Sequence, residues 1–135
     1  MTVLRRRRLP PELEERRRAL EALAPTLESA KAALLDAVPG TRRPGRPLAE
    51  ALLEFEEGLR AVRSRMGSWR APEVEEAWRS AAAGLESALA GAERLRVQAP
   101  EPAGFEGLIG LVGDLLEPLE AFPDAAERFR RLRVR

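Results

Sequence analysis

The sequence predicts an all-α fold, an antiparallel bundle of four main helices plus a short C-terminal helix. Its apolar residues are mostly Leu and Ala, with no Tyr, four Phe and two Trp, and this balance favours helix over strand. Four segments repeat apolar residues at steps of three and four, and Pro or Gly separates each segment from the next. Short connections between such segments predict antiparallel neighbours.

The first helix is predicted over residues 11–38. Pro11 fits a first helical turn, where its missing N–H costs no hydrogen bond. Pro25 lies mid-helix, but the seven-residue phase continues across it, so we expect one kinked helix rather than two. The predicted core positions are Leu13, Leu20, Leu23, Leu27, Ala30, Leu34 and Ala37.

The second and third helices have the most regular apolar seams. Pro47 is expected to start the second helix and Gly67 to stop it in a left-handed conformation, while Pro72 opens the third. Small residues surround the third seam, so we expect a neighbouring helix to approach closely. The seams are Leu48, Leu52, Phe55, Leu59, Val62, Met66 and Trp69, then Val74, Trp78, Ala81, Leu85, Ala88, Ala92 and Leu95.

A linker, APEPAG, precedes the fourth helix, in which Gly recurs every three residues from Gly104 to Gly113. Pro118 and Pro123 are expected to kink or divide this segment and to leave a short last helix. The apolar positions of the fourth segment are Leu108, Val112, Leu115, Leu119 and Phe122, and those of the last helix are Phe129 and Leu132.

The length of 135 residues fits one bundle domain, residues 10–135, preceded by a basic tail, residues 1–9, that we expect to be mobile. Charge is uneven: the net charge is +1, yet residues 100–127 contain seven acidic and no basic residues. The scarcity of Asn, Gln, Cys and Met is typical of a thermophile, and a GC-rich genome would also favour the abundant Arg, Ala, Gly and Pro.

Composition excludes several kinds of chemistry. The chain has no His and no Cys, so it cannot form a thiolate nucleophile, a Ser–His dyad or a Cys/His zinc site. We expect no catalytic residue and no cofactor. The longest apolar stretch, GLIGLVGDLL, is too short for a membrane span and the N-terminus lacks an apolar leader core, which predicts a cytoplasmic protein with no membrane partner.

Two pairs of carboxylates are the candidates for a metal site. Glu54 and Glu57 lie three residues apart, and Glu73 and Glu76 repeat that spacing. The layout resembles the two-carboxylate-pair pattern of the all-α, Mg-dependent nucleotide pyrophosphohydrolases of the MazG type, with Glu76 where that pattern has Asp. The resemblance implies a Mg²⁺ site that hydrolyses a phosphoanhydride bond of a nucleotide. The apolar phase instead turns all four carboxylates outward, which is typical of solvated helix faces.

Arginine clusters are the candidates for nucleic-acid binding. The stretch TRRPGRP, residues 41–47, resembles the Arg-Gly-Arg-Pro core of an AT-hook, except that Pro44 replaces the first Arg of that core. Pro and Gly also suit a chain that leaves one helix and enters another, so we interpret the stretch as a hinge. Aromatic stacking residues are missing near the clusters. The candidates are Arg5, Arg6, Arg7, Arg8, Arg42, Arg43 and Arg46.

Trp69 and Trp78 flank the turn between the second and third helices. They either line a pocket between helices or fill the end of a small-residue core, and their seam positions favour packing.

These observations predict a non-enzymatic helical-bundle protein that acts through protein–protein contacts, with a second copy of itself or with another protein as partner. Separated charge and clean seams fit self-association into a homo-oligomer. An electrostatic nucleic-acid-associated protein is the first alternative, and a Mg-dependent phosphohydrolase is the second.

Overall fold

The computed structural model describes residues 9–40, 42, 44–98 and 104–132. The predicted all-α fold is confirmed, and these residues form no strand. Three 3-10 turns connect helices, namely Met66–Trp69, Pro72–Val74 and Glu117–Glu120. The five helices are α1 (Pro11–Leu35), α2 (Leu48–Ser64), α3 (Glu75–Gln98), α4 (Gly104–Leu116) and α5 (Ala121–Arg131).

Helices α1 and α2 pack side by side in opposite directions. A Cβ at Gly58 would lie 2.6 Å from the Cβ of Ala30, so the two backbones approach closely where both residues are small. Arg16, earlier on α1, donates to the carbonyl of Ser68, beyond the end of α2, at 3.0 Å. Residue numbers therefore fall along α1 as they rise along α2, from Ala30 beside Gly58 to Arg16 beside Ser68, so the two helices are antiparallel.

Helices α2 and α3 are antiparallel by the same criterion. Glu56 pairs with Arg96, and one turn later Arg60 pairs with Glu93, one turn earlier on α3. These ion pairs fix the register of the two helices, and they place the middle of α2 beside the end of α3.

Helix α4, the 3-10 turn and α5 form one bent arm antiparallel to α3. The backbone stays in the right-handed helical region at residues 116, 120 and 121, so Pro118 tightens the helix without reversing the chain. Gly84 lies against the carbonyl of Pro118, and Gly91 lies against Leu115. Gly84 and Gly91 thus provide the close approach expected of the small residues on α3, and contacts of α1 with α4 and α5 close the bundle.

The predicted seams form the core. All seven positions predicted for α1 are buried, and α1 continues without interruption through Pro25. The seams of α2 and α3 are buried except for Leu48, Trp78 and Leu95, which are half-buried. In the arm, Val112, Leu115, Leu119, Phe122 and Phe129 are buried.

Four helix ends differ from the sequence prediction. Helix α1 ends at Leu35 rather than at residue 38, and α3 begins at Glu75, because Pro72 opens a 3-10 turn before it. Helix α2 ends at Ser64, and Gly67 lies in the following 3-10 turn rather than in a left-handed stop. Among the described glycines only Gly104 has a positive φ, 74°. The last helix begins at Ala121, because Pro123 fits its first turn, where an imino nitrogen costs no hydrogen bond.

The described part of TRRPGRP forms the hinge between α1 and α2. The amide of Arg46 donates to the carbonyl of Asp36 at 2.7 Å, which turns the chain back on itself. Gly45 packs so closely on the carbonyl of Ala37 that a Cβ would overlap it. Thr41 and Arg43 lie outside the described residues, as does the basic segment 1–8, so the tail prediction stays a prediction.

None of the described helices contains a stretch that is both long and apolar enough to cross a lipid bilayer.

Candidate functional site

Large apolar side chains are exposed at one end of the bundle. There α1 and α3 end while α2 and α4 begin, and we call this the apolar end. In the part of the chain that the structure describes, five large apolar residues are exposed, with 44–77% of their surface accessible. All five belong to this end: Leu35 on α1, Leu53 on α2, Val97 on α3, and Phe105 and Ile109 on α4.

Helix α4 divides into three stripes of residues spaced three and four apart. Leu108, Leu111 and Leu115 lead to Pro118, which packs on α3. A second stripe contains the exposed Phe105 and Ile109, then the buried Val112 and the half-buried Leu116. The third stripe is exposed throughout, namely Glu106, Gly110, Gly113 and Glu117. Because the first stripe faces α3, the second borders α1, the other neighbour of α4.

Leu35 lies on the matching flank of α1. Ala30 and Ala33 face α2 and its groove, whereas Leu35 is half a turn from Ala33 on the opposite side of the helix. Three contacts relate α1 to α4 through the helices between them: Ala30 with Gly58, Glu56 with Arg96, and Gly91 with Leu115. They place Leu35 at the same height along the bundle as the turn of α4 between Phe105 and Ile109. These three side chains therefore border the seam between α1 and α4, which we call the α1–α4 seam.

The opposite end of the bundle is closed by aromatic packing. Trp69 has no exposed surface, and its ring centroid lies 6.4 Å from that of Phe122 and 6.3 Å from that of Phe129. The indole N–H of Trp69 has no hydrogen-bond partner. Only one end of the bundle therefore exposes large apolar side chains within the described residues.

Trp78 covers the 3-10 turn that follows α2. Its indole N–H donates to the carbonyl of Met66 at 2.8 Å, and the guanidinium of Arg70 lies 4.0 Å from the centre of its ring. Arg70 in turn binds the carboxylate of Glu75 through two nitrogens. Trp78 is half-buried in this arrangement, and both tryptophans occupy packing positions.

Glu54 and Glu57 border one groove, and Glu76 borders another. A groove of about 510 Å³ runs between α1 and α2, and its lining includes Thr26, Ser29, Asp36, Glu54 and Glu57. A second groove of about 430 Å³ lies between α3 and α5 and is lined by Glu76, Ala77, Ser80, Ala121, Asp124 and Arg128.

The structure does not bring the two acidic pairs together. Glu54 and Glu57 flank Glu56, which contacts Arg96, and Arg96 is 20 residues beyond Glu76 on α3, about 30 Å along the helix. Glu54 is moreover bound by Arg46. No group of three or more acidic side chains able to hold a metal ion occurs within the described ranges.

Of the predicted nucleic-acid-binding arginines, the structure describes Arg42 and Arg46. Arg46 pairs with Glu54 and Glu50, and its pKa is raised, mainly by the hydrogen bond to Glu54. Arg42 is exposed. Arg43 and residues 5–8 lie outside the described part of the chain.

A buried charge network was missed by sequence reasoning. The carboxylate of Glu56 has no exposed surface. Arg96 donates to it through Nε at 2.6 Å and Nη2 at 2.9 Å, and this hydrogen bonding raises the pKa of Arg96. Arg60 contacts the same carboxylate at 3.4 Å and bridges to Glu93 at 2.8 Å. One signal was available, since Glu56 lies four residues after the buried Leu52 on the same side of α2.

The arm formed by α4 and α5 carries an unpaired acidic surface. Five of its carboxylates are exposed and form no ion pair within the described residues: Glu106, Asp114, Glu117, Glu120 and Asp124. No basic residue occurs between residues 104 and 127. The acidic surface therefore extends along the same arm that carries Phe105 and Ile109.

In comparisons with known proteins, no family model, curated protein or solved structure matches this chain.

Proposed function

We propose that this chain is a non-enzymatic helical-bundle protein that acts through protein–protein contacts and associates with itself through the apolar end. One observation carries the proposal: every large apolar side chain exposed in the described residues belongs to that end. Exposed apolar side chains that are scattered singly need no explanation, whereas a group of them at one place is typical of an interaction site. A homo-oligomer would remove these surfaces from water.

Two further features support a binding role over a catalytic one. The tightest charge cluster of the described residues, around Glu56, is occupied by its own arginines, and the described acidic side chains do not converge on a metal site. The α1–α4 seam, by contrast, exposes Phe105 and Ile109 on one helix and Leu35 on the next. Burial of these apolar surfaces against a partner removes them from water, which favours association.

Sedimentation equilibrium at micromolar concentrations tests the proposal. We expect the wild-type protein to associate and Ile109→Gln to shift the equilibrium toward monomer, because the substitution places an amide in the interface. Ala83→Gln, on an exposed position of α3 away from the apolar end, is the matched control and should behave as the wild type. If the wild-type protein is strictly monomeric under these conditions, the proposal of self-association is wrong.

The alternative of nucleic-acid binding needs a separate experiment, because most of its candidate arginines lie outside the described residues. It predicts that the protein retards DNA or RNA in gels at low salt and that deletion of residues 1–8 weakens this effect. Phosphohydrolase activity would require Mg²⁺ binding that Glu54→Gln abolishes. Isothermal titration with Mg²⁺ alone measures that binding directly.

A further inference from the structure

We propose that the α1–α4 seam at the apolar end receives the arginine-rich segment, residues 3–8, of a second copy of the chain. This inference rests on the proposed self-association and names the two surfaces that meet. The segment has the sequence VLRRRR, which combines two apolar residues with four cations. The seam offers the complementary pair of properties, exposed apolar side chains beside unpaired carboxylates.

Charge complementarity is the first argument. The arm from α4 to α5 has five exposed carboxylates without an ion pair among the described residues, and no basic residue occurs in that part of the sequence. Glu106 and Glu117 belong to the exposed stripe next to that of Phe105 and Ile109, whereas Asp114, nine residues after Phe105, lies on the opposite side of α4. Two acidic arms packed against each other would place like charges together, which costs binding energy. A cationic occupant suits this surface better than another copy of the same arm.

Apolar complementarity and length form the second argument. Six residues in extended conformation span about 20 Å, and the 13 residues of α4 also span about 20 Å. The segment therefore matches the length of α4. Val3 and Leu4 supply side chains for the exposed surfaces of Phe105 and Ile109, and the arginines that follow meet the carboxylates on α4.

The distance between the start of α1 and the apolar end requires that the segment come from another copy. Leu9 precedes the start of α1, and the apolar end lies at the other end of this helix, about 36 Å away along 24 residues. Arg5 is four residues before Leu9, so it lies at most about 14 Å from it. The arginines of one chain consequently cannot contact Phe105 of the same chain, whereas those of a second chain can.

A reciprocal charge exchange tests the contact. One variant replaces Arg5, Arg6, Arg7 and Arg8 by Glu, and the other replaces Glu106 and Glu117 by Lys. We expect each variant alone to self-associate about tenfold more weakly than the wild type at low salt. An equimolar mixture should regain association, because the acidic segment of one then meets the basic arm of the other. Glu73→Lys, at the opposite end of the bundle, is the control and should leave association unchanged.

A second measurement is independent of the multiple substitutions. A synthetic peptide of residues 1–10 is titrated into protein that lacks residues 1–8, with Ile109→Gln and a peptide carrying Glu in place of its arginines as controls. We expect the wild-type peptide to bind the otherwise wild-type protein and both controls to bind more weakly or not at all. Added salt should weaken the binding.

The outcomes separate the two proposals. If protein lacking residues 1–8 associates like the wild type while Ile109→Gln does not, the segment is not the occupant and self-association through the apolar end stands. Failure of the peptide to bind, or of the mixture to regain association, also overturns the inference. If the full-length wild type is strictly monomeric, both the proposed function and this inference are wrong.

Discussion

Glu56 and Arg96 form a two-point ion pair that connects the middle of α2 to the end of α3. Both carboxylate oxygens accept hydrogen bonds from the same guanidinium, at 2.6 and 2.9 Å. Glu56 is fully buried, while about a third of the Arg96 side chain is exposed. A buried ion pair adds little net stability over an apolar pair, but a buried charge that loses its partner is costly. The pair therefore sets the register of α2 against α3 more than it strengthens their packing.

Arg96→Met should destabilise the fold by about 2–3 kcal/mol, because it leaves the carboxylate of Glu56 with only the longer contact from Arg60. Urea unfolding followed by circular dichroism measures the change. Arg94→Met, at an exposed position on α3, is the control and should change stability by less than about 0.5 kcal/mol. Equal stability of the two variants would show that the buried carboxylate does not depend on Arg96.

Acid should weaken the fold through two partly exposed ion pairs. The pKa values of Glu14 and Glu75 are lowered from the usual 4.5, mainly by hydrogen bonds from Arg17 and Arg70 respectively. A lowered folded-state pKa contributes stability that is present above the unfolded-state value and is lost as the pH falls through the folded-state value.

The urea midpoint of the wild type should accordingly fall as the pH drops below about 4.5. The double variant Glu14→Gln, Glu75→Gln should lose less over that range, since its amides do not titrate. Glu73→Gln removes a carboxylate that forms no ion pair within the described residues and serves as the control. Identical pH profiles for the double variant and the wild type would contradict this assignment, and added salt should reduce the difference.

Two glycines should respond in opposite ways to alanine. At Gly84 a Cβ would overlap the carbonyl oxygen of Pro118, whereas at Gly113 nothing lies within 4 Å of an added Cβ. Gly84→Ala must separate α3 from the arm, which costs about 1–3 kcal/mol. Gly113→Ala gains up to about 1 kcal/mol from helix propensity. Thermal unfolding measures both, and stabilisation by both substitutions would mean that α3 and the arm are not in close contact.

Periodicity predicted the core because it depends on one helix at a time. A seam at steps of three and four marks the side of a helix that faces its neighbours, whichever neighbours those are. Leu13 and Leu34 on α1 and Leu59 on α2 are buried for this reason. The same reasoning gave the hinge at Pro44 and Gly45, where backbone restrictions are local.

The remaining features depend on pairs of helices, so the sequence gives at most part of them. Glu56 follows Leu52 by four residues on the inner side of α2, but only the register with α3 shows that Arg96 lies beside it. Phe105 and Ile109 belong to the apolar side of α4, and only the position of α1 shows that their stripe is left uncovered. Pro118 looked like a helix breaker, yet the chain tightens into a 3-10 turn and continues as α5.

Tryptophan fluorescence gives the clearest optical test of the fold. Both tryptophans occupy predicted seam positions, but the structure buries them to different extents. Trp69 has no exposed surface, whereas Trp78 is half-buried beside the guanidinium of Arg70. Trp78→Phe should leave a protein whose emission is blue-shifted and resists quenching by acrylamide. It should also cost about 1 kcal/mol through the lost hydrogen bond to the carbonyl of Met66. Emission that is quenched as readily as in the unfolded chain would show that Trp69 does not close the end of the bundle.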